Sequence, residues 1–314
     1  MNPRFAVAVL VAVATLGWAC EARAQACCAA SQASGPTRLS AGQLATAGMG
    51  VDLRLYRGAF IGRDYRPIEH ANYEFRQTLF GAVAPFEDWQ FGITASAVQS
   101  LIRTGYTDDA GGGIGDVGMQ ARYQLADTPN GSAWPDIGLI ASVTAPTGRS
   151  RTDSMRRAEH QLQADVTGGE SWRLEVGTET QWAWQYWFVV GQTSAYRGLS
   201  YTDHRGADVR PGPGFRGRVS TGRTFDVGLF EDDNLVVGAG AVYTHQLRDR
   251  RGGAVVDRSV EGLTTVSGQV GGYLSKFLHV MVTGSTDLTI DGTGNNRHTG
   301  AQLGIRIRGV WTEY

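Results

Sequence analysis

From Val51 onward the chain alternates apolar and polar residues in segments of about ten residues, and this period of two is its most constraining feature. Successive side chains of a strand point to opposite faces, so each segment predicts a β-strand with one apolar and one polar face. Twelve such segments follow one another, separated by clusters of Gly, Pro, Asn and Asp. In the first, Val51, Leu53 and Leu55 alternate with Asp52 and Arg54.

The connectors between the segments alternate between short and long. Those after the second, fourth, sixth, eighth and tenth segments are short turns such as Pro85 to Asp88, whereas most of the others are long and polar, such as Pro146 to Glu170. A soluble β-sandwich would explain the strands but not this asymmetry, which is typical of barrels with short periplasmic turns and long outer loops. We therefore predict an all-β fold, a transmembrane antiparallel up-and-down β-barrel of about 12 strands over residues 49–314, with both termini periplasmic.

The first residues of the chain have the composition of an export signal. Arg4 precedes an apolar run from Phe5 to Cys20, and the small residues Ala22 and Ala24 follow. We predict a signal peptide over residues 1–24, with cleavage after Ala26 as the alternative, and a flexible leader over residues 25–48. The export signal and the strands together indicate the outer membrane of a Gram-negative cell.

Cysteines occur only in this region. Cys20 would suit a lipoprotein, but the bulky Trp18 stands where a small residue is expected. Cys27 and Cys28 could form a soft-metal site, but no His lies near them, and a leader without set chemistry is the favoured interpretation. We expect no metal and no cofactor.

Aromatic residues gather at the predicted strand ends. They predict the interfacial girdles of a membrane barrel, although ordinary sheet packing would explain any one of them. The seventh segment is the most aromatic, and its apolar stripe of Trp184, Tyr186, Phe188 and Val190 is predicted to face lipid. The chain also ends in an aromatic residue, Tyr314. The ring-bearing strand-end residues are Trp89, Trp134, Trp172, Trp182, Trp184, Phe225, Phe277 and Trp311.

Charge and motifs exclude several classes of function. The 29 Lys and Arg against 30 Asp and Glu leave no basic excess for a nucleic acid partner. The sequence has no G-x-S-x-G, H-E-x-x-H, C-x-x-C or P-loop motif, so we predict no enzyme and no catalytic residue. Ser96, His70 and His245 could belong to a hydrolase site built from distant strands, but nothing selects them. His245 and His279 fall on strands that are not neighbours, which disfavours a metal site between them.

Two motifs carry a family resemblance. The segment from Gly113 to Leu125 contains G-x-G-D followed by alternating apolar residues and Arg-Tyr, and Pro146-Thr147-Gly148 ends the next segment. These resemble the meta-pathway phenol-degradation-like family of outer-membrane transporters. The resemblance implies a barrel of about twelve strands, associated with hydrocarbon degradation, and brings no catalytic residues. The residues themselves suit local roles, because Asp116 can accept backbone hydrogen bonds and Pro146 cannot continue a central strand.

The polar face of the predicted strands provides candidate lumen residues. They could be structural ion pairs that fill a narrow, plugged barrel, or they could line a permeation path. Arg54 on the first strand and Arg306 and Arg308 on the closing strand should lie side by side and favour anionic solutes. The expected partners are outer-membrane lipid, the barrel assembly machinery and a small solute, either aromatic or hydrophobic or anionic. The candidate pore-lining residues are Arg54, Glu74, Arg76, Arg122, Arg173, Glu175, Arg306 and Arg308.

Overall fold

The computed structural model describes thirteen stretches of the chain. The predicted signal peptide, Cys27, Cys28 and Tyr314 lie outside them. No helix within these stretches is long and apolar enough to span a membrane. The described residues are 37–39, 43–103, 107–128, 132–151, 153–154, 164–184, 186–203, 205–226, 234–256, 259–275, 277–290, 294–295 and 297–312.

Seventeen strands form the described secondary structure. Five of them, β4, β9, β10, β13 and β14, are short and lie at the ends of longer strands. In chain order they are β1 (Gln43–Ile61), β2 (Asp64–Phe86), β3 (Trp89–Arg103), β4 (Asp108–Ile114), β5 (Val117–Ala126), β6 (Asp136–Ala145), β7 (Arg173–Trp184), β8 (Trp187–Gly198), β9 (Tyr201–Thr202), β10 (Asp208–Arg210), β11 (Gly214–Asp226), β12 (Asn234–Gln246), β13 (Arg250–Arg251), β14 (Ala254–Val255), β15 (Glu261–Ser275), β16 (Leu278–Asp287) and β17 (His298–Thr312).

The twelve long strands close into one antiparallel barrel, which confirms the predicted fold. Each pairs with its neighbours in sequence, and β1 closes the barrel against β17, with Val51 opposite Ile305. The first strand begins at Gln43, so the predicted boundary at residue 49 is too late. Residues 43–48 belong to the wall because they continue the hydrogen-bonded ladders with β2 and β17.

The lipid face follows the predicted parity in most strands. Large apolar side chains such as Leu79 and Met119 are exposed on the outside, as a bilayer-facing wall requires. The seventh predicted strand is the exception, because Phe188 and Val190 on β8 are almost completely buried inside the barrel while Trp187 faces out. The prediction that Phe188 and Val190 face lipid is therefore wrong.

Both resemblance motifs meet at a break between β4 and β5. The half of β3 toward the outer loops pairs with β4, and the half toward the short turns pairs with β5. Strands β4 and β5 therefore occupy one position in the wall together. At the break, the Asp116 carboxylate accepts hydrogen bonds from the backbone N–H groups of Gly148 and Gly169, at 3.2 and 2.8 Å. The Thr147 hydroxyl donates to the Gly115 carbonyl at 2.9 Å. The motifs thus attach the loop between β6 and β7 to the wall.

Two other outer loops combine into a small sheet, which we call the cap. Strands β9 and β10 come from the loop after β8, and β13 and β14 come from the loop after β12. The pairing of β10 with β13 joins the two hairpins into four strands. The long polar connectors predicted there are thus ordered strands over these residues. The first outer connector differs, because β1 and β2 continue to a tight turn at Gly62, whose φ is +63°.

Candidate functional site

All eight candidate pore-lining residues lie on the lumen side of their strands. Their placement follows from alternation with exposed lipid-facing neighbours such as Leu53, Leu79, Leu174 and Ile305. Their heights differ, with Arg173 near the outer mouth, Arg306 near the middle, and Arg122 and Arg308 toward the short-turn rim. The structure therefore distributes them along the lumen and does not bring them into one cluster.

One polar network occupies the lumen beside the closing seam. The Asp287 carboxylate accepts hydrogen bonds from Arg54 at 2.7 Å, from the Thr265 hydroxyl at 2.6 Å and from the Gly300 backbone at 2.9 Å. Arg54 also lies over the ring of Tyr56, 4.8 Å from its centroid. A buried carboxylate with three donors holds its partner firmly, so Arg54 contributes little free positive charge.

A second ion pair lies beside the first on β2. Arg76 contacts Glu74 at 2.9 Å, and the Tyr56 hydroxyl donates to the same carboxylate at 3.0 Å. This pair links β1 to β2 inside the barrel. Both candidates on β2 thus have structural partners.

The opposite wall carries a third network around Glu175. Its carboxylate accepts hydrogen bonds from the Ser194 hydroxyl at 2.6 Å and from Arg216 at 3.2 Å. Arg173 and Arg216 both lie near the ring of Tyr196, at 5.8 and 5.9 Å from its centroid. Glu175 is therefore neutralised across β7, β8 and β11, while Arg173 points toward the outer mouth.

The middle of the lumen keeps net positive charge. Within the described part of the chain, Arg306 forms no salt bridge and no hydrogen bond, and its side chain lies over Gly50. The guanidinium of Arg218 on β11 lies within electrostatic range of Arg306. Arg308, one step further along the lumen side, is buried. The expected row of Arg54, Arg306 and Arg308 is thus divided, and Arg218 joins Arg306 in its place.

The half of the lumen near the short turns contains a group of buried apolar side chains that the sequence analysis did not predict. Phe188, Val190 and Val236 form a buried cluster inside the barrel. Further buried apolar side chains line the same half. The sequence signal for them is an apolar residue, close to a short turn, at a position where the alternation would place a polar one. They are Phe80, Ala82, Ile140, Met281 and Val310.

Residues Thr37 to Leu39 lie inside this half of the barrel. Arg38 forms a buried salt bridge with Glu179, which also contacts Arg122 at 3.3 Å. The Gln90 side chain both accepts from the Leu39 N–H and donates to the Leu39 carbonyl, each at 3.2 Å, and Leu39 is only 2% exposed. Residues 37–39 of the predicted leader are therefore fixed in the lumen, where they narrow the path.

The residues considered for catalysis or metal binding lie in different environments. Ser96 lies on the lumen side of β3, and His70 is exposed on the outer part of β2. His245 stacks on Tyr243 on the lipid side of β12, whereas His279 is buried in the lumen. His245 lies on the outside of the wall because it continues the exposed Tyr243 series.

A closed antiparallel wall with an apolar outside and a charged inside defines a β-barrel of the outer-membrane class. The chain belongs to the family described as "Putative MetA-pathway of phenol degradation", whose model matches residues 37–307. The family resemblance of the two motifs is thereby confirmed.

Comparison with solved structures gives one similarity that supports this fold. The COG4313 outer membrane channel from Pseudomonas putida F1 aligns with a TM-score of 0.64 and 16% identity, over 88% of this chain and 97% of that chain. The NanC porin aligns with a TM-score of 0.46 and 9% identity, over 82% and 98% of the two chains. The first similarity supports the barrel architecture. A comparison with curated proteins gives no match.

Proposed function

We propose that this protein is an outer-membrane channel that passes small solutes through its lumen. The observation that carries the proposal is the closed twelve-strand barrel, whose inner wall holds the charged networks around Asp287 and Glu175 together with Arg306. A barrel that only inserts into the membrane needs the apolar outside, but it does not need a cation such as Arg306, which has no ion-pair partner among the described residues, at mid-height of its lumen. The similar COG4313 protein, described as an outer membrane channel, supports the same function.

The lumen chemistry favours small solutes that are anionic or partly aromatic. Arg306 and Arg218 raise the local concentration of anions in a low-dielectric path. Support for an aromatic solute comes from the family description, because the buried rings of Phe188 and Phe80 expose almost no surface to the lumen. Passage requires no catalytic residue, and we assign none. Outer-membrane lipid and the barrel assembly machinery remain the partners we propose.

Single-channel recording in planar bilayers tests this function. The purified mature chain should produce discrete conductance steps in a salt solution. A matched preparation of a heat-unfolded sample controls for detergent leakage. If the folded barrel gives no current above that of the bare bilayer, the channel proposal is wrong.

A structural barrel with a plugged lumen is the second candidate. It is favoured by one specific observation, the fixation of Arg38 and Leu39 by Glu179 and Gln90. If conduction is absent in the full chain but appears after removal of residues 25–39, the second candidate replaces the first.

A further inference from the structure

A cleft of about 740 Å³ lies at the outer rim, between the barrel wall and the cap. It opens toward the membrane side, because Arg197 continues the lipid-facing series of β8 and His245 continues that of β12. The chain lines this cleft with four arginines, contributed by the end of β8, by β10, and by the start of the loop after β12. They are Arg197, Arg210, Arg248 and Arg250.

Two of these arginines stand directly opposite each other in the cap. The register of β10 and β13 pairs Arg210 with Arg250, and like charges at directly opposed positions destabilise a sheet. Asp208 contacts Arg210 at 3.1 Å, but within the described residues neither Arg250 nor Arg197 forms a salt bridge. The cleft therefore has an excess of positive charge that a bound anion would relieve.

The other face of the cap shows that the chain neutralises such charges elsewhere. Arg251, adjacent to Arg250, points to that other face and forms a salt bridge with Asp203. Asp203 also accepts hydrogen bonds from the backbone N–H groups of Arg205 and Ala207, at 2.8 and 3.0 Å. Among the described residues, no carboxylate forms an equivalent salt bridge with Arg250 on the cleft face.

Below the arginines the barrel offers an apolar surface. Phe215 and Tyr243 are 47% and 41% exposed on the lipid side, with ring centroids 5.6 Å apart. His245 lies against both rings, and no described residue makes a hydrogen bond with its buried Nδ1 atom. Val255 of the cap adds an exposed apolar side chain above. Positive charge at the rim above exposed rings fits an amphiphile with an anionic head.

We propose that this cleft binds a phosphorylated, acylated glycolipid of the outer leaflet. Its phosphate groups would lie between Arg210, Arg250 and Arg197, because guanidinium groups form paired hydrogen bonds with phosphate oxygens. Its acyl chains would follow Phe215 and Tyr243 down the wall. The proposal rests on the membrane location of the barrel and is independent of whether the lumen conducts.

Binding of defined lipids to the purified mature chain in detergent tests the proposal. The probes are bisphosphorylated lipid A, its dephosphorylated form, phosphatidylglycerol and inorganic pyrophosphate, with binding measured by native mass spectrometry and by competition. We expect lipid A to bind about tenfold more tightly than the dephosphorylated form, since each lost charge-assisted contact is of that order. Pyrophosphate should not compete at equal concentration because it lacks the acyl chains.

The paired substitution Arg210→Gln with Arg250→Gln should remove that tenfold preference. The control pair, Arg66→Gln with Arg205→Gln, makes the same change of charge on exposed outer-rim residues that do not line the cleft. Heat-modifiable migration on gels verifies folding, and Arg197→Gln serves as the second variant if the pair does not fold.

Four results would overturn the proposal. Equal binding of the dephosphorylated lipid would mean that acyl chains alone are recognised, and equal competition by pyrophosphate would mean an anion site without a lipid. Equal binding of phosphatidylglycerol would exclude a glycolipid site. An equal loss in the control pair would show that the charge effect is diffuse. Channel recordings on the same variants should be unchanged, so failure here and failure of the channel function remain distinguishable.

Discussion

Neighbouring residues of one strand meet different surroundings in this barrel. On β6, Leu139 is 42% exposed on the lipid side, whereas Ile140 is buried in the lumen. On β5, Gln120 lies on the lumen side next to the lipid-facing Met119. The energetic effect of a substitution is therefore set by the parity of the position more than by its place in the sequence.

Leu139→Arg should lower the free energy of unfolding by about 2–4 kcal/mol, because a guanidinium near the bilayer midplane loses its hydration. Gln120→Ala, on the opposite face, should change it little. Urea unfolding of the barrel from liposomes, followed by tryptophan fluorescence, measures both. Similar losses at the two positions would show that the assigned faces are reversed.

At the scale of elements, the break between β4 and β5 depends on one carboxylate. The Asp116 carboxylate accepts hydrogen bonds from two backbone N–H groups of the loop between β6 and β7. Removing this carboxylate leaves both N–H groups without their acceptor. The site is where the two family motifs meet, so its function is to hold an outer loop against the wall.

Asp116→Ala should destabilise this loop by about 1–3 kcal/mol, the usual effect of losing hydrogen bonds to a charged group. Faster proteolytic cleavage between residues 146 and 172 is the measurable consequence. Asp108→Ala is the matched control, because Asp108 forms an exposed pair with Arg103, and such pairs contribute little. Equal cleavage rates in the two variants would contradict the anchoring role.

Strand β8 shows where inference from the sequence ends. The period of two correctly predicted twelve strands, their antiparallel closure and the lipid face wherever only one parity is apolar. On β8 both parities are apolar, since Trp187 and Val189 alternate with Phe188 and Val190, so periodicity could not assign the faces. The contact of Arg38 with Glu179 joins residues 141 positions apart in the chain, and no local pattern encodes it.

The lumenal segment of residues 37–39 is expected to restrict flow. Arg38→Ala removes one partner of Glu179 but leaves Arg122 to neutralise it, so the barrel should fold while the segment loosens. We expect larger conductance steps or more frequent openings than in the unsubstituted chain. Arg66→Ala, at the opposite rim, is the control. Unchanged recordings would mean that the segment does not obstruct the path.

At the scale of the whole molecule, the inner wall holds more arginine than carboxylate. Asp287, Glu74, Glu175 and Glu179 all have arginine partners, and Asp52 accepts a hydrogen bond from Gln302 at 2.9 Å. Arg306 forms no salt bridge with a described residue. The lumen as a unit should therefore attract anions, with its field strongest near mid-height.

Arg306→Gln combined with Arg218→Gln should shift the reversal potential in a salt gradient toward cation preference. The double substitution removes charge from the middle of the lumen without removing a member of the Asp287 or Glu175 pairs. Arg66→Gln with Arg205→Gln changes the same net charge outside the lumen and should leave selectivity as it was. If this control pair shifts the reversal potential by the same amount, the selectivity comes from charge at the rim.

The cap also constrains which insertions and deletions the outer loops can accept. Strands β10 and β13 come from loops that lie between different pairs of wall strands, yet each supplies the other's hydrogen-bonding partner. Deleting or replacing one loop would leave a bare strand edge on the cell surface, and such edges invite pairing with other chains and aggregation. The two loops are therefore expected to tolerate insertions and deletions only as a linked pair, so a vaccine epitope or affinity tag is better placed at the Gly62 turn, which stands apart from them.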